Sequence, residues 1–261
     1  VIGRRLALAL PALALARPAA AVTLEGRAEQ GGLLRGSGAA GRQLALNGDP
    51  VRVSPEGHFV IGFGRDHGPR ATLRLGTELR NIEVAPREWR VQHISGLPPG
   101  QVTPDAATLR RTTAERERLA AVRRRDTPRT DFTGALAWPA RGRISGVFGS
   151  QRVLNGQPRS PHYGLDIAGP TGTPIAATLP GRVTLAADFF FFGKLVVLDH
   201  GHGIHSLYAH LNDIHVAEGA EVAQGQRIAD MGATGRVTGP HLHFSLGWYA
   251  TWLDPEPLLP G

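Results

Sequence analysis

The sequence predicts a mainly β protein: an antiparallel β domain in the C-terminal half, preceded by a small N-terminal β domain and a connecting helix. Three observations lead there. Apolar runs are short and recur at strand length, turns rich in Gly and Pro separate them, and the one convincing helical stretch lies between the halves.

From Val22 to about Arg90 the runs Leu44 to Leu46, Val51 to Val53, Phe59 to Phe63 and Ala71 to Leu75 alternate with the turns Asn47-Gly48-Asp49-Pro50 and Pro55-Glu56-Gly57. This spacing predicts a β domain over 22–92, in which His58 and His67 lie near turns without a second ligand close by. Gly36-Ser37-Gly38-Ala39-Ala40-Gly41 fits a dinucleotide-binding pattern, but no clear strand precedes it and Pro50 interrupts any helix after it, so a flexible loop is expected.

Leu97-Pro98-Pro99-Gly100 breaks the chain, and Thr103-Pro104-Asp105 offers an N-cap, a first-turn proline and a favourably placed acid. The predicted helix runs to about Arg125, within a linker over 93–136, with Leu109, Leu119 and Val122 as a thin apolar stripe. Arg110, Arg111, Arg116, Arg118 and Arg123 to Arg125 suit a solvated connector, or a helix that binds an envelope partner or the wall. Past Thr130 the strand-like runs are Ile144 to Phe148, Thr173 to Ala176, Gly181 to Ala186, Leu195 to Leu198, Ile204 to Tyr208, Arg227 to Ile228 and His241 to Leu246, a domain over 137–258.

A chain of 261 residues can bury a core, and 41% hydrophobic with 20% charged residues argues against wholesale disorder. The formal charge of +7 rests almost wholly on arginine, Lys194 being the sole lysine. Genome bias explains that as well as attraction to an anionic polymer does, and no nucleic-acid motif supports a nucleic-acid partner. Without cysteine there are no disulfides, no thiol catalysis and no thiolate ligands, so any metal must use His, Asp or Glu. Residues 1–21, with Arg4-Arg5, the apolar Leu6 to Leu15 and the small residues to Ala21, resemble a secretory signal peptide, too short for a permanent membrane anchor.

The second half holds His162, His200, His202, His205, His210, His215, His241 and His243. On an extended strand His241 and His243 share one face while Leu242 and Phe244 point to the core. His162 and Asp166 can converge from one segment, and a strand pair plus a short loop would bring them to His243. Two imidazoles and a carboxylate form a catalytic zinc set that leaves a fourth position for water.

His162-Tyr163-Gly164-Leu165-Asp166, Leu207-Tyr208-Ala209-His210-Leu211 and Thr238-Gly239-Pro240-His241-Leu242-His243-Phe244 resemble, in order, the three signatures of the lysostaphin-type (LytM-like) zinc peptidoglycan endopeptidases. Pro170-Thr171-Gly172-Thr173-Pro174 and Gly232-Ala233-Thr234-Gly235 between them extend the likeness over about Trp138 to Leu258. The resemblance implies the lysostaphin-type peptidase fold, with His162, Asp166 and His243 as Zn2+ ligands and His210 and His241 as catalytic residues. One of the latter pair would be the general base and the other would polarise water or stabilise the oxyanion, with His241 the first candidate for the base. Arg152 and Asn155 either contact substrate or order their loop. His202 and His205 are expected to be exposed and could add a surplus metal contact, and His215 is expected to be peripheral. Phe189 to Phe192 is expected in the core, with a cleft wall as the alternative. Ser245 stands where the family often has an acid, which bears on tuning of the site or substrate preference.

The function implied is a secreted, envelope-located and periplasmic zinc endopeptidase acting on peptide cross-links of peptidoglycan. The alternative is a non-catalytic envelope regulator of other wall hydrolases, a reading that predicts damaged ligand motifs. The bond cut, oligomeric state and any block of the cleft by the N-terminal domain are not legible in the sequence.

Overall fold

The computed structural model describes residues 21–96, 103 and 105–261; the signal-peptide expectation and the break at Leu97 to Gly100 fall outside the described residues, apart from Ala21. Among the described residues no helix is long and apolar enough to cross a membrane.

In the first half, β1 (Thr23–Gly26), β2 (Leu33–Ser37) and β5 (Phe59–Gly62) form one antiparallel sheet. A second comprises β3 (Leu44–Leu46), β4 (Asp49–Val51), β6 (Arg70–Leu75) and β7 (Glu78–Glu83). In β6 the alternate residues Ala71, Leu73 and Leu75 are buried, and with Phe59, Ile61 and Phe63 they join one apolar cluster between the sheets. The glycine-rich segment is not the expected flexible loop. Gly36 and Ser37 belong to β2, Ala39 is fully buried, and a Cβ on Gly36 would strike the Phe59 ring, so the glycine here serves packing.

Two features bind this half to the second. Leu33 and Val60 join the apolar cluster of the C-terminal sheet. The Trp89 ring lies against the Arg65 and Arg87 guanidiniums and meets Phe148 edge-on, while Arg87 pairs with Asp254 at 2.8 Å.

β8 (Val91–Ile94) starts before the expected linker boundary and pairs in parallel with β10 (Gln151–Leu154), which turns back onto β11 (Gln157–Pro158). The helix α1 spans Ala106–Arg123, and its N-cap is Asp105 in place of Thr103, because the Asp105 carboxylate accepts from the Thr108 amide at 2.7 Å. Nor is α1 simply a solvated connector. Leu119 and Val122 are buried against the C-terminal sheet, Glu115 accepts from the Phe190 amide, and Arg118 pairs with Glu218.

That sheet has ten strands. Its main path joins β17 (Glu221–Val222), β14 (Gly181–Phe189), β15 (Gly193–Gly201), β16 (Ile204–Ile214), β19 (His241–Trp248), β12 (Leu165–Ala168) and β9 (Arg143–Gly146). β13 (Pro174–Ala176), β18 (Arg227–Met231) and β20 (Thr251–Leu253) attach beside it. The period of two sorts its faces. Val196, Leu198, Tyr208, Leu242, Phe244 and Leu246 fill the main core, whereas Leu195, Val197, Leu207 and Ala209 face Leu119 and Val122 of α1.

His202 and His205 are buried, contrary to the expected exposure, at 2% and 4% accessibility. The His202 amide donates to the Thr127 carbonyl and its ring packs on Phe132, while His205 meets Trp252 edge-on. The covering residues come from the linker and the C-terminal hairpin, both distant in sequence. His215 is exposed, as its expected peripheral position implies, and pairs with Asp230 at 3.0 Å.

Burial, with the Arg123 charge adding to it, pushes His205 down to about 3. The unfolded chain therefore binds a proton near pH 6.5 that the native state refuses until near pH 3, so stability falls as pH drops through that window. From pH 7 to pH 5 the His205 contribution alone should cost on the order of 1–2 kcal/mol. His205→Gln should flatten this part of the pH dependence in urea-unfolding curves; an unchanged slope would refute the assignment.

Candidate metal and hydrolytic site

The site lies on the sheet face that α1 partly covers. Antiparallel pairing sets Asp166 of β12 opposite His243 of β19, and Ala209 of β16 opposite His243 on the other side. Directly opposed residues project to the same face, so the carboxylate and imidazole meet without any loop adjustment. His162 arrives from the turn before β12, where its amide donates to the Ser150 carbonyl.

The three donors converge closely. Asp166 Oδ1 lies 2.9 Å from His162 Nε2 and 2.8 Å from His243 Nδ1, and the two ring nitrogens are 3.0 Å apart. His162 Nδ1 donates to the Val147 carbonyl at 3.0 Å, and His243 Nε2 can donate to Ser245 Oγ at 2.9 Å. In that tautomer the neutral rings aim two lone pairs and a carboxylate oxygen at one point, an arrangement that only a proton or a cation relieves. Burial alone would raise the Asp166 carboxyl, yet contacts with His162 and His243 hold it well below the usual carboxylate range. Burial is the main cause that pushes His243 down to about 4. The residues present therefore fit a bound divalent cation, and they are the candidate cluster for one among the described residues. Ser245 takes the place where an acid was expected and still offers the His243 ring an acceptor.

His210 and His241 stand beside this trio, their ring centroids 4.8 Å apart, with His210 5.9 Å from His243. His210 sits at a β-bulge: Lys194 faces Leu211 while Val196 faces Tyr208, leaving an extra residue on β16. Its φ of 63° is left-handed, and this re-aims the ring to the cleft. His210 Nδ1 donates to the Thr234 carbonyl and His241 Nδ1 to the Gly239 carbonyl, each at 2.9 Å, which turns both Nε2 atoms into acceptors. Burial first, then His243 and His241, pushes His210 down to about 3, so this ring is neutral at neutral pH.

The adjoining cleft, about 480 Å³, is lined by His162, His210, His243, Tyr163 and Ser245, and also by Phe191, Phe192 and Trp252. Phe189 to Phe192 thus divides: Phe189 is core, as expected, and Phe191 and Phe192 form cleft wall. Arg152 lines the cleft and lies 3.4 Å from Asp166 Oδ2. Asn155 is exposed at the β10–β11 turn with φ 47° and is not among the cleft-lining residues. Sequence reasoning missed Arg236, Arg159 and, as a cleft residue, Arg116; Arg236 stood just before the third motif, but its direction had no local signal.

A mainly antiparallel β fold carrying this set of histidines and one aspartate defines a lysostaphin-type peptidase domain. Residues 160–255 match Peptidase family M23, and this segment is a domain of that family. A crystal structure of a peptidase M23 from Pseudomonas aeruginosa superposes with a TM-score of 0.69 at 29% identity, covering 89% of this chain and 95% of that one. Over 105 residues the chain is 43% identical to peptidoglycan DD-endopeptidase ShyA of Vibrio cholerae, covering 40% of this chain and 24% of that protein. Over 124 residues it is 36% identical to murein hydrolase activator NlpD of Escherichia coli, covering 47% of this chain and 31% of that protein. The chain thus spans a quarter to a third of the length of these curated relatives.

Saturating Zn2+ should raise the thermal midpoint of the intact chain by roughly 5–10 °C, the linkage expected at about a hundred times Kd. His243→Ala should abolish the rise, and Ser245→Ala should weaken Zn2+ affinity about tenfold. A midpoint indifferent to Zn2+ in the wild type would mark the trio as an ordinary buried network.

Proposed function

We propose that the protein is a secreted zinc endopeptidase of the bacterial envelope, periplasmic in location, that hydrolyses peptide cross-links of peptidoglycan. One observation carries this reading: His162, Asp166 and His243 converge as a donor trio while His210 and His241 stand beside it on the same sheet face. In this reading residues 137–258 form the hydrolytic domain, 22–92 a domain packed on it, and 93–136 the connection.

A zinc ion held by His162, Asp166 and His243 would supply a water of lowered pKa and polarise the scissile carbonyl. His210, neutral and with Nε2 as acceptor, orients that water by taking one of its hydrogen bonds. His241 keeps some solvent contact, its side chain being 16% exposed. It accepts the proton of the water and passes it to the leaving amine. Phe191 and Phe192 shield this exchange from bulk water on one side.

The likeness to NlpD, by its name an activator, favours a regulatory reading, and the intact donor trio weighs against it. Purified protein should hold about one zinc per chain and release new amino groups from peptidoglycan. His210→Ala and His241→Ala should each lose about 10²-fold or more in rate while retaining zinc. Bound zinc without cleavage, together with stimulation of a separate wall hydrolase, would establish the regulator instead.

A further inference from the structure

The segment Gly232-Ala233-Thr234-Gly235 follows β18 directly, and its Thr234 carbonyl accepts from His210 Nδ1 at 2.9 Å. The side chain of the same residue is engaged elsewhere. The Thr234 hydroxyl accepts from the Lys194 amide at 3.0 Å and donates to the Leu211 carbonyl at 2.8 Å. Lys194 and Leu211 face each other across β15 and β16, at the edge of the bulge that carries His210. The hydroxyl, a donor and an acceptor at once, is therefore set between the two strands, serving an amide of one and a carbonyl of the other.

Close approach of two backbones holds this loop on the bulge. A Cβ on Gly193 would collide with the Thr234 hydroxyl and the Gly235 amide, and one on Gly235 would strike the Gly193 amide and the Phe191 carbonyl. Both glycines have left-handed φ, 60° and 78°. The Arg236 amide then donates to the Phe191 carbonyl at 3.0 Å, and the His210 amide to the Phe192 carbonyl at 2.9 Å. Removing the hydroxyl would take a shared partner from the Lys194 amide and the Leu211 carbonyl and release the anchor of the Thr234 carbonyl. That carbonyl matters because a neutral imidazole has two tautomers, and the nitrogen that finds an acceptor keeps the proton. With Nδ1–H held by Thr234, Nε2 keeps its lone pair.

We infer that Thr234 is a positioning residue: its hydroxyl, set between β15 and β16 at the bulge, fixes the loop carbonyl that holds His210 in the Nδ1–H tautomer. The effect on rate rests on the peptidase reading, and the effect on the ring does not. With the proton on Nε2 instead, His210 would present a donor where the attacking water needs an acceptor. A hydroxyl that merely tied the strands together would lower stability and leave the ring as it is, so the two roles separate by experiment.

Imidazole nitrogen NMR on the intact chain with labelled histidine reads the His210 tautomer without any turnover. In the wild type the Nδ1–H form should exceed the Nε2–H form by about tenfold or more. Thr234→Val, which keeps the shape and removes the hydroxyl, should lower that ratio about tenfold, and Thr234→Ala should do the same with less bulk in the gap. Thr234→Ser should hold the ratio near wild type. In hydrolysis of a peptidoglycan peptide, Thr234→Val should lose about tenfold in kcat with KM within about twofold, and Thr234→Ser should recover most of the rate. A wild-type ratio in both the Val and Ala chains, or a Ser chain that shifts as far as the Val chain, would overturn the assignment. Should the wild type cleave no peptidoglycan, the peptidase reading falls and the tautomer comparison still decides the role of Thr234.

Discussion

The register between β12 and β19 is the constraint on which the site depends. Asp166 faces His243, Ile167 faces Leu242 and Leu165 faces Phe244. Because side chains alternate at a period of two, a slip by one residue would turn the aspartate and histidines into the core and bring Ile167 and Leu242 out. The register is held by burial: Leu165, Ile167, Leu242 and Phe244 are each fully inaccessible. Hydrophobic packing on one face thereby sets donor geometry on the other, with no need for strain among the three donor residues.

Only His210 departs from this economy. A regular strand at that point would place it out of alternation with Ala209, which shares the His243 face, so a bulge and a left-handed φ of 63° turn its ring to the cleft. Hydrogen bonds over-determine the exception, since the His210 amide donates to the Phe192 carbonyl and the ring to Thr234. The Phe192 that anchors this backbone also lines the cleft, so the cleft wall and the aim of the His210 ring are coupled.

The helix has a double character that follows from its sequence. Its thin stripe of Leu119 and Val122 suffices to dock the C-terminal turns on the sheet, helped by Arg123 over Trp252 at 3.7 Å. Its first turns, with exposed Leu109, then run along the cleft and carry Arg116 into it. A connector of this kind joins two β units and also contributes side chains to the space where substrate would lie.

The amino-acid sequence by itself determined the mainly β class, most long strands of the second half, and which five candidate positions come together, because period-two patterning and motif spacing are local properties of the chain. The inward direction of Leu242 and Phe244 followed from the same alternation. Tertiary structure alone decided what depends on distant segments: burial of His202 and His205 beneath residues near Thr127, Phe132 and Trp252, the docking of α1, and the division of Phe189 from Phe191 and Phe192. It also gathered Arg116, Arg152, Arg159 and Arg236 around one cleft. Like charges have no local reason to meet, and only the packing energy of the sheet and helix brings them together.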